Sequence, residues 1–410
     1  MTFNKMRNSF DNDKGVKVLL SIIYPLGAFL YSWKNLKARS TYWVFFIFFI
    51  VYGLCFTASF EGADSHYYVD ELRAFSVNAE QNYSLLTQEY FSKNSEVKDI
   101  FVYTLFYITS VFASGNYHIF FALVAIIFGY FFLRSFKFIT NDEAFKNTSF
   151  FYLLALIFVL SNPIFNINGV RFWTAAWIAV YATFQILLNK KYLYLLLLLS
   201  LPLVHGSYYV FLVFFAIAFL LRHYYKILPY LFFISFFFSD ITLHFIPDIS
   251  DFLPPFMQNM IWSYTESDTA IRKMSGENAA EEALYARILM DLPKYFHVLL
   301  IFLLVRSIKV FKDKSSKEFF GFVLAYGSLV NISLMIPSML RFWQLLLPFY
   351  VYLWVHNSHV MGRYKNVLLW YLLIGLYPTF RLLRFMFWTT DYVLFISNTV
   401  HIVIRALLNG

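Results

Sequence analysis

The sequence predicts an all-α, polytopic integral membrane protein with about 13 transmembrane helices (12–14) and two larger external loops. Of its 410 residues, 60% are hydrophobic and 22% aromatic, whereas only 14% are charged. Soluble domains carry about 25% charged residues, so this composition is typical of a membrane protein. The mean hydropathy of +0.59 points the same way. We therefore predict that the whole chain, residues 1–410, forms one polytopic membrane domain.

The predicted helices follow from the apolar segments, taken in order along the chain. A spanning helix needs about 20 apolar residues, or somewhat fewer if the bilayer thins around it. The segments that approach this length are 16–33, 41–60, 117–134, 148–164, 170–188, 191–204, 205–221, 227–240, 295–311, 318–337, 340–358, 364–380 and 385–408. The stretch 99–114 is ambiguous, because it is short and contains Asp99 together with several tyrosines and threonines. Such a stretch can lie in the interface or dip into the membrane and return.

The charges of the loops predict the orientation. The loop 34–39 is basic, whereas 61–98 and 241–294 contain more acidic than basic residues. By the positive-inside bias the first loop is cytoplasmic and the two acidic loops are external. The alternation then places the N-terminus outside. The N-terminal tail is mildly basic, however, and Pro25 and Gly27 interrupt the first segment, so a broken or re-entrant first segment is the alternative.

Composition and motifs exclude several function classes. The net charge of +9 needs no nucleic-acid partner, because the basic residues lie in short loops. The single cysteine, Cys55, cannot form an intramolecular disulfide. The chain has no Walker-A loop, no zinc motif and no nucleophile elbow. No predicted cytoplasmic loop is large enough for a nucleotide-sugar site, so any sugar donor should be lipid-linked and approached from outside.

Ionisable residues at the ends of apolar segments are the candidate functional residues. With the predicted orientation they all lie at the external face: Asp64, Arg171, His205, Arg341 and the pair Arg381 and Arg384. A charge in or near hydrocarbon costs several kcal/mol on insertion scales, so such residues are functional candidates by default. Their convergence predicts a polar cavity open to the outside, with arginines ready for an anionic ligand.

The arginines suit a phosphate ligand. Arg171 opens an apolar helix, and a guanidinium beside a helix N-terminus can bind phosphate, although a snorkelling interfacial arginine is the alternative. Arg381 and Arg384 are three residues apart on one helical face, so the two can grip a pyrophosphate. Lipid headgroups are the competing ligands for such external arginines.

The remaining candidates suit proton transfer and sugar binding. Asp64 or His205 can remove a proton from a hydroxyl, whereas an ordinary solvated loop and a buried, hydrogen-bonded histidine are the alternatives. The break at His205-Gly206-Ser207 predicts non-helical backbone beside a cavity. The candidate sugar-binding residues are Tyr67, Tyr68, Asp70 and Asn168.

Four motifs lie in order along the chain: Gly62-Ala63-Asp64 with Tyr68, Asn168-Gly169-Val170-Arg171 followed by Ala175 and Ala176, His205-Gly206-Ser207, and Arg341. In order and spacing they resemble the EpsG-like, Wzy-type polymerases of O-antigen, capsule and exopolysaccharide. Two positions depart from the family pattern. Ser65 stands where an aromatic residue is common, and Gly206 separates the histidine from the serine.

The resemblance implies a GT-C-like helical bundle and a polymerase at the periplasmic face of a bacterial inner membrane. Its substrates would be undecaprenyl-pyrophosphate-linked oligosaccharides, and the growing chain would be transferred to another lipid-linked unit. Arg171, Arg341, Arg381 and Arg384 would stabilise the pyrophosphate, so no metal or other cofactor is implied. The bilayer and a chain-length regulator protein are the further candidate partners.

Two other classes stay open at this stage. A flippase for lipid-linked oligosaccharides would also present arginines to a pyrophosphate, but transporters often show two related halves, and none is visible here. A glycosyltransferase that uses a polyprenyl-phosphate sugar is the second alternative. Such enzymes tend to have acidic residues after the first span, whereas Asp64 follows the second.

Overall fold

The computed structural model describes residues 11–58, 64–92, 97, 99–238, 258, 284–311, 313–334, 336 and 339–408. Within these ranges the chain is helical, with a single isolated β-bridge between Phe56 and Thr390. The α-helices are α1 (Lys14–Ile23), α2 (Pro25–Ser32), α3 (Arg39–Leu54), α4 (Asp64–Ser76), α5 (Ala79–Tyr90), α6 (Phe101–Ala113), α7 (Tyr117–Thr140), α8 (Ser149–Ser161), α9 (Val170–Leu187), α10 (Leu195–Leu199), α11 (Leu201–Val204), α12 (Tyr208–Leu221), α13 (Leu228–Ile234), α14 (Leu284–Ser307), α15 (Lys314–Ile332), α16 (Leu340–Gln344), α17 (Leu346–His356), α18 (Ser358–Met361), α19 (Lys365–Ile374), α20 (Leu376–Trp388), α21 (Val393–Ile396) and α22 (Thr399–Leu408). The all-α prediction is therefore confirmed for the described ranges, whereas most of the predicted external loop 241–294 lies outside them.

The predicted count of about 13 crossings is not confirmed. By length and composition, two helical stretches of the described chain are suited to cross a membrane, Tyr117–Thr140 and Ser149–Leu187. A bent pair, Ser358–Ile374 with Pro378–Trp388, would make a third. Seven other apolar helices have only 10–17 residues. At 1.5 Å per residue they fall short of the roughly 30 Å of hydrocarbon in a bilayer.

The stretch Ser149–Leu187 turns back on itself. A 3₁₀ turn, Ile164–Gly169, separates α8 from α9, and the Trp177 indole N–H donates to the Asn162 carbonyl at 3.1 Å. The rings of Phe158 and Trp177 lie 5.1 Å apart between centroids. A straight helix would separate two residues 19 positions apart by about 28 Å. The two helices therefore form a hairpin, in agreement with the two predicted segments 148–164 and 170–188. Arg171 lies just after the turn, in the first turn of α9, at one end of the bundle.

The first apolar segment, 16–33, does not form a single helix. It breaks at Tyr24, before Pro25, into α1 and α2, which have 10 and 8 residues and pack against each other. The Ser40 backbone N–H donates to the Asp11 carboxylate at 3.0 Å, so the residues before α1 and after α2 lie together. The buried Lys17 ammonium forms an ion pair with the same carboxylate at 3.3 Å. The segment is therefore a helical hairpin, which agrees with the predicted alternative of a broken first segment and places Asp11 on the same side as loop 34–39. The residues of the tail before Asp11 lie outside the described ranges.

This hairpin predicts a labelling pattern. In a Cys55→Ser background, cysteines replacing Asp13 and Asn35 should both be protected from a membrane-impermeant thiol reagent added to the periplasm. A cysteine replacing the exposed Asn78, between α4 and α5, should be labelled, because acidic loops are external. Permeabilised cells, in which every site should react, are the control. Labelling of position 13 alongside protection of position 35 would contradict the hairpin.

The ambiguous stretch 99–114 belongs with the predicted external loop 61–98. It forms α6, which packs against α4 and α5 of that loop. The rings of Tyr83 and Tyr107 stack at 4.7 Å between centroids, and Ser76 is hydrogen-bonded to Ser110 at 2.8 Å. The left-handed residue Ser114 (φ 50°) then ends the helix. Thirteen residues held by polar contacts to loop helices fit an interfacial position rather than a span.

At the other end of the bundle, a charged cluster fastens three segments together. The His356 ring, at the end of α17, lies between two carboxylates, with Nδ1 2.7 Å from Asp142 and Nε2 2.9 Å from Asp313. Asp313 also caps α15 by accepting from the Ser316 backbone N–H. By the predicted alternation of the spans, the loops that contain or adjoin all three residues lie on the cytoplasmic side. The structure therefore groups the predicted inner loops at one end and leaves the polar turns of the candidate site at the other.

Candidate functional site

A cavity of about 540 Å³ collects residues from α4, the 3₁₀ turn, α9, the α11–α12 junction and α16. It is lined by seven of the candidate residues: Asp64, Tyr67, Tyr68, Asn168, Arg171, His205 and Arg341. These positions are far apart in the chain and meet because the short helices and hairpins end on the same side. The cavity thus contains both cationic and acidic side chains at the place where the sequence predicts a polar site.

Arg171 is held in one orientation by two protein acceptors. It lies in the first turn of α9, where Nε donates to the Tyr68 hydroxyl at 3.0 Å and Nη1 to the Asp99 carboxylate at 2.9 Å. The Asp99 side chain is 1% exposed and that of Arg171 33% exposed. Nη2 makes no hydrogen bond within the described part of the chain. A fixed guanidinium with one nitrogen still open is suited to donate to a bound anion.

Asp99 is a component of the site that the sequence alone does not reveal. It stands at the start of the short α6 stretch, where it looks like one more polar residue of an interfacial segment. In the structure its buried carboxylate pairs with Arg171. Taking a guanidinium out of water without such a partner would cost free energy. The ion pair with Asp99 therefore explains how the Arg171 side chain can be largely covered by protein.

Asp64 begins α4, and the 3₁₀ turn holds this helix start in place. The Ser65 backbone N–H donates to the Asn168 side-chain oxygen at 3.2 Å. This is an N-terminal capping interaction supplied from another segment. Asp64 itself is exposed to the cavity, and its carboxylate accepts no hydrogen bond from the residues described. Asn168 therefore positions the carboxylate rather than presenting its amide to the cavity.

Gly169 is required for the close approach of Trp173. A Cβ at this position would lie 3.0 Å from Cδ1 and 3.4 Å from Nε1 of Trp173, and 3.9 Å from the Asp64 carboxylate. A residue without a side chain leaves room for the indole, which takes the place beside the backbone where a Cβ would lie. Trp173 lines the cavity and was not among the predicted residues.

Gly169→Ala is therefore expected to lower the free energy of unfolding by about 1–3 kcal/mol, the usual cost of overpacking. The measurement is the thermal unfolding of the detergent-solubilised protein. Gly15→Ala is the matched control, because a Cβ at Gly15, inside α1, has no atom within 4 Å. Equal unfolding temperatures for the two variants would show that the indole can move aside without cost.

His205 has an extended backbone conformation (φ −156°, ψ 122°) between α11 and α12, as the predicted break requires. Its Nδ1 accepts from the Ser207 backbone N–H at 3.1 Å and lies 2.8 Å from the Ser207 hydroxyl. A backbone N–H can only donate, so Nδ1 has no proton and the neutral ring carries its proton on Nε2. The serine two positions after the histidine thus sets the tautomer, and Gly206 provides the spacing for this contact.

Arg341 completes the cationic part of the cavity. Its guanidinium lies 5.5 Å from the centroid of the Phe172 ring, and the His205 ring contacts the same phenylalanine edge-on at 5.5 Å. Arg341 is exposed and forms no hydrogen bond or ion pair with the described residues. Stacking on Phe172 leaves its five N–H donors directed away from protein acceptors.

Three of the predicted residues lie outside the cavity. Asp70 is on the outer side of α4, 3.5 Å from His66 and 3.8 Å from Arg73. Arg381 and Arg384 are exposed on α20, and Arg384 stacks over Trp388 at 4.3 Å. The three-residue spacing does place the two arginines on one helical face, but that face does not line the cavity. Phe385 is the α20 residue that lines the cavity, and it lies about 100° around the helix from Arg384.

A second acidic residue of the cavity, Glu71, was not predicted from the sequence. It follows Asp64 by seven positions and Tyr68 by three, so all three share one face of α4. The seven-residue spacing between Asp64 and Glu71 indicates a shared helix face only when the acidic loop is known to be helical. The cavity is thus lined by two arginines, Arg171 and Arg341, by two carboxylates, Asp64 and Glu71, and by the indole of Trp173.

Comparison with known proteins gives one match. The model of the EpsG family matches residues 9–396, which is nearly the whole chain. No curated protein and no solved structure matches the chain. The match spans every helix that lines the cavity, and together with the apolar helices it identifies a membrane protein. We conclude that the chain belongs to the EpsG family.

Proposed function

We propose that the protein is a metal-independent glycosyltransferase that polymerises undecaprenyl-pyrophosphate-linked oligosaccharide repeat units at the periplasmic face of a bacterial inner membrane. The observation that carries this proposal is one cavity in which Arg171 and Arg341 offer open N–H donors beside the carboxylate of Asp64. Membership of the EpsG family supports a polysaccharide polymerase-type role. The acidic charge of the loop 61–98 supports the periplasmic side.

Arg171 and Arg341 would hold the leaving pyrophosphate. Glycosyl transfer breaks the bond between the anomeric carbon and a phosphate oxygen, so negative charge develops on that oxygen. Donors fixed before the reaction stabilise such charge most, because they do not have to reorganise. Arg171 is fixed by Tyr68 and Asp99, and His205 would add the Nε2 proton of its neutral ring. Guanidinium groups can take the neutralising role that a metal ion has elsewhere, so none is required.

Asp64 would act on the acceptor. The hydroxyl oxygen of the acceptor sugar forms the new bond to the anomeric carbon of the donor, and its proton passes to the Asp64 carboxylate. Undecaprenyl pyrophosphate leaves with the electron pair of the broken bond. His205 is less suited as the base, because its Nδ1 is engaged by Ser207 and its Nε2 already carries a proton. A carboxylate open to the cavity can accept the proton directly.

Reconstitution tests the proposal. Purified protein in liposomes that contain lipid-linked repeat units should convert single units into a ladder and release undecaprenyl pyrophosphate. A flippase would move units across the bilayer without lengthening them. A glycosyltransferase that uses a polyprenyl-phosphate sugar would add one sugar and release a monophosphate. Either of these product patterns, in place of a ladder, would refute the polymerase assignment. In cells, deletion of the gene should leave surface polysaccharide of one repeat.

A further inference from the structure

The cavity is lined by two further side chains with no role in the chemistry above, Glu71 and Trp173. The residues expected to bind sugar are mostly engaged elsewhere. The Tyr68 hydroxyl is bound by Arg171, the Asn168 side chain holds the start of α4, and Asp70 points away. An acceptor sugar therefore needs other contacts.

Glu71 stands on the same face of α4 as Asp64, two turns further along. Seven residues of α-helix correspond to about 10 Å along the axis, which is roughly the length of two linked sugar rings. Tyr67, which is 64% exposed, stands beside this face at the mouth of the cavity. The Tyr103 hydroxyl of α6 lies against Glu71. The two carboxylates thus mark a line that leads from the mouth towards the site of transfer.

Trp173 lies beside the Asp64 end of this line. Its indole and the Asp64 carboxylate approach the same point above Gly169, at 3.0 and 3.9 Å. A sugar ring presents an apolar face that packs on an aromatic ring, and hydroxyl groups at its edge that donate to carboxylates. A ring stacked on this indole would therefore direct a hydroxyl towards Asp64.

We infer that Trp173 and Glu71 form the binding subsite for the acceptor's terminal sugars, and that these sugars are neutral or cationic rather than anionic. The inference rests on the proposed function. Two carboxylates on one face of α4 would repel a uronic or other acidic sugar, and the charge of Arg171, the arginine that contacts α4 through Tyr68, is already paired with Asp99. Trp173 gives the stacking face, Glu71 accepts from a hydroxyl or amino group, and Asp64 is left to take the proton.

The test separates acceptor binding from donor binding in the full-length protein reconstituted in liposomes. Glu71→Gln and Trp173→Leu should each raise the KM for the acceptor unit about tenfold, the effect of losing one charged hydrogen bond or one stacking contact. The KM for the donor should stay unchanged. Trp173→Phe, which keeps an aromatic face, should restore the acceptor KM to within about threefold. Glu80→Gln and Trp43→Leu, both exposed and outside the cavity, are the matched controls.

A second measurement uses the free oligosaccharide of the repeat unit, released from its lipid, in an equilibrium binding assay. Oxidation of its terminal sugar to a uronate should weaken binding to the wild type, and Glu71→Gln should remove most of that penalty. Unchanged acceptor KM values, equal rises for donor and acceptor, or a penalty that persists in Glu71→Gln would overturn the subsite. Failure of the wild type to form any ladder would instead overturn the proposed polymerase activity, and the binding assay would still judge the subsite.

Discussion

Arg171→Lys is expected to lower the polymerisation rate by about 10²- to 10³-fold, the loss typical when one fixed donor to a developing anion is removed. Lysine keeps the positive charge but loses the planar fork. One ammonium group cannot reach Tyr68, Asp99 and a leaving group in the way that three guanidinium nitrogens can. The rate is measured with purified protein as the disappearance of single lipid-linked units into the ladder.

The control for this variant is Arg134→Lys, because Arg134 is an exposed arginine that also packs on a tyrosine, Tyr130 at 5.1 Å, but lies away from the cavity. Its rate should equal that of the wild type. Both variants should be present in the membrane in equal amounts and should unfold at similar temperatures. Near-normal polymer length from Arg171→Lys would remove Arg171 from the pyrophosphate site.

Asp64→Asn should reduce the rate by about 10²- to 10⁴-fold, the usual contribution of a general base. The amide has the shape of the carboxylate but cannot take the proton. His205→Gln should cost less, about tenfold, because glutamine still offers an N–H donor to a phosphate oxygen. The measurement compares the two variants at saturating concentrations of both lipid-linked substrates, so that differences in binding do not enter the rate.

Glu89→Gln and His401→Gln are the matched controls, since both residues are exposed and lie outside the cavity. The decisive comparison is the order of the two losses. If Asp64→Asn keeps most of the rate while His205→Gln abolishes it, then His205 is the base, and the tautomer set by Ser207 must change when substrate binds.

The sequence indicates the members of the site that interrupt apolar segments. Asp64, Arg171, His205 and Arg341 stand at segment ends, and a charge at such a place is conspicuous against its apolar neighbours. Glu71 and Trp173 are not conspicuous, because an acid in an acidic loop and an aromatic residue in an aromatic helix resemble their surroundings. Their place in the cavity follows from helix faces, which hydropathy does not reveal.

Pairing in space is the second property that the sequence leaves open. Asp99 and Arg171 are 72 positions apart, and nothing in either local pattern predicts their ion pair. Likewise, the spacing of Arg381 and Arg384 fixes their position relative to each other but not the direction in which their helix turns. The orientation of α20 places Phe385 against the cavity instead.

Hydropathy predicts the helical, apolar class of the fold, but not where a helix ends or to which side the chain returns. The segment 16–33 is apolar throughout, yet the break at Tyr24 turns it back so that Asp11 meets Ser40. The contact between distant residues decides the topology here.

The fixed guanidinium of Arg171 also gives the proposed reaction a direction. Tyr68 and Asp99 take two of its five N–H groups, so a pyrophosphate can accept only from the remaining N–H groups on Nη1 and Nη2. After each transfer, the lengthened chain is attached to the lipid of the acceptor, whose pyrophosphate was not the one held by the arginines. For another round, that pyrophosphate must move to Arg171 and Arg341, or dissociate and rebind. Chain length would then be decided by a kinetic competition between this relocation and escape into the bilayer, rather than by a molecular ruler inside the cavity.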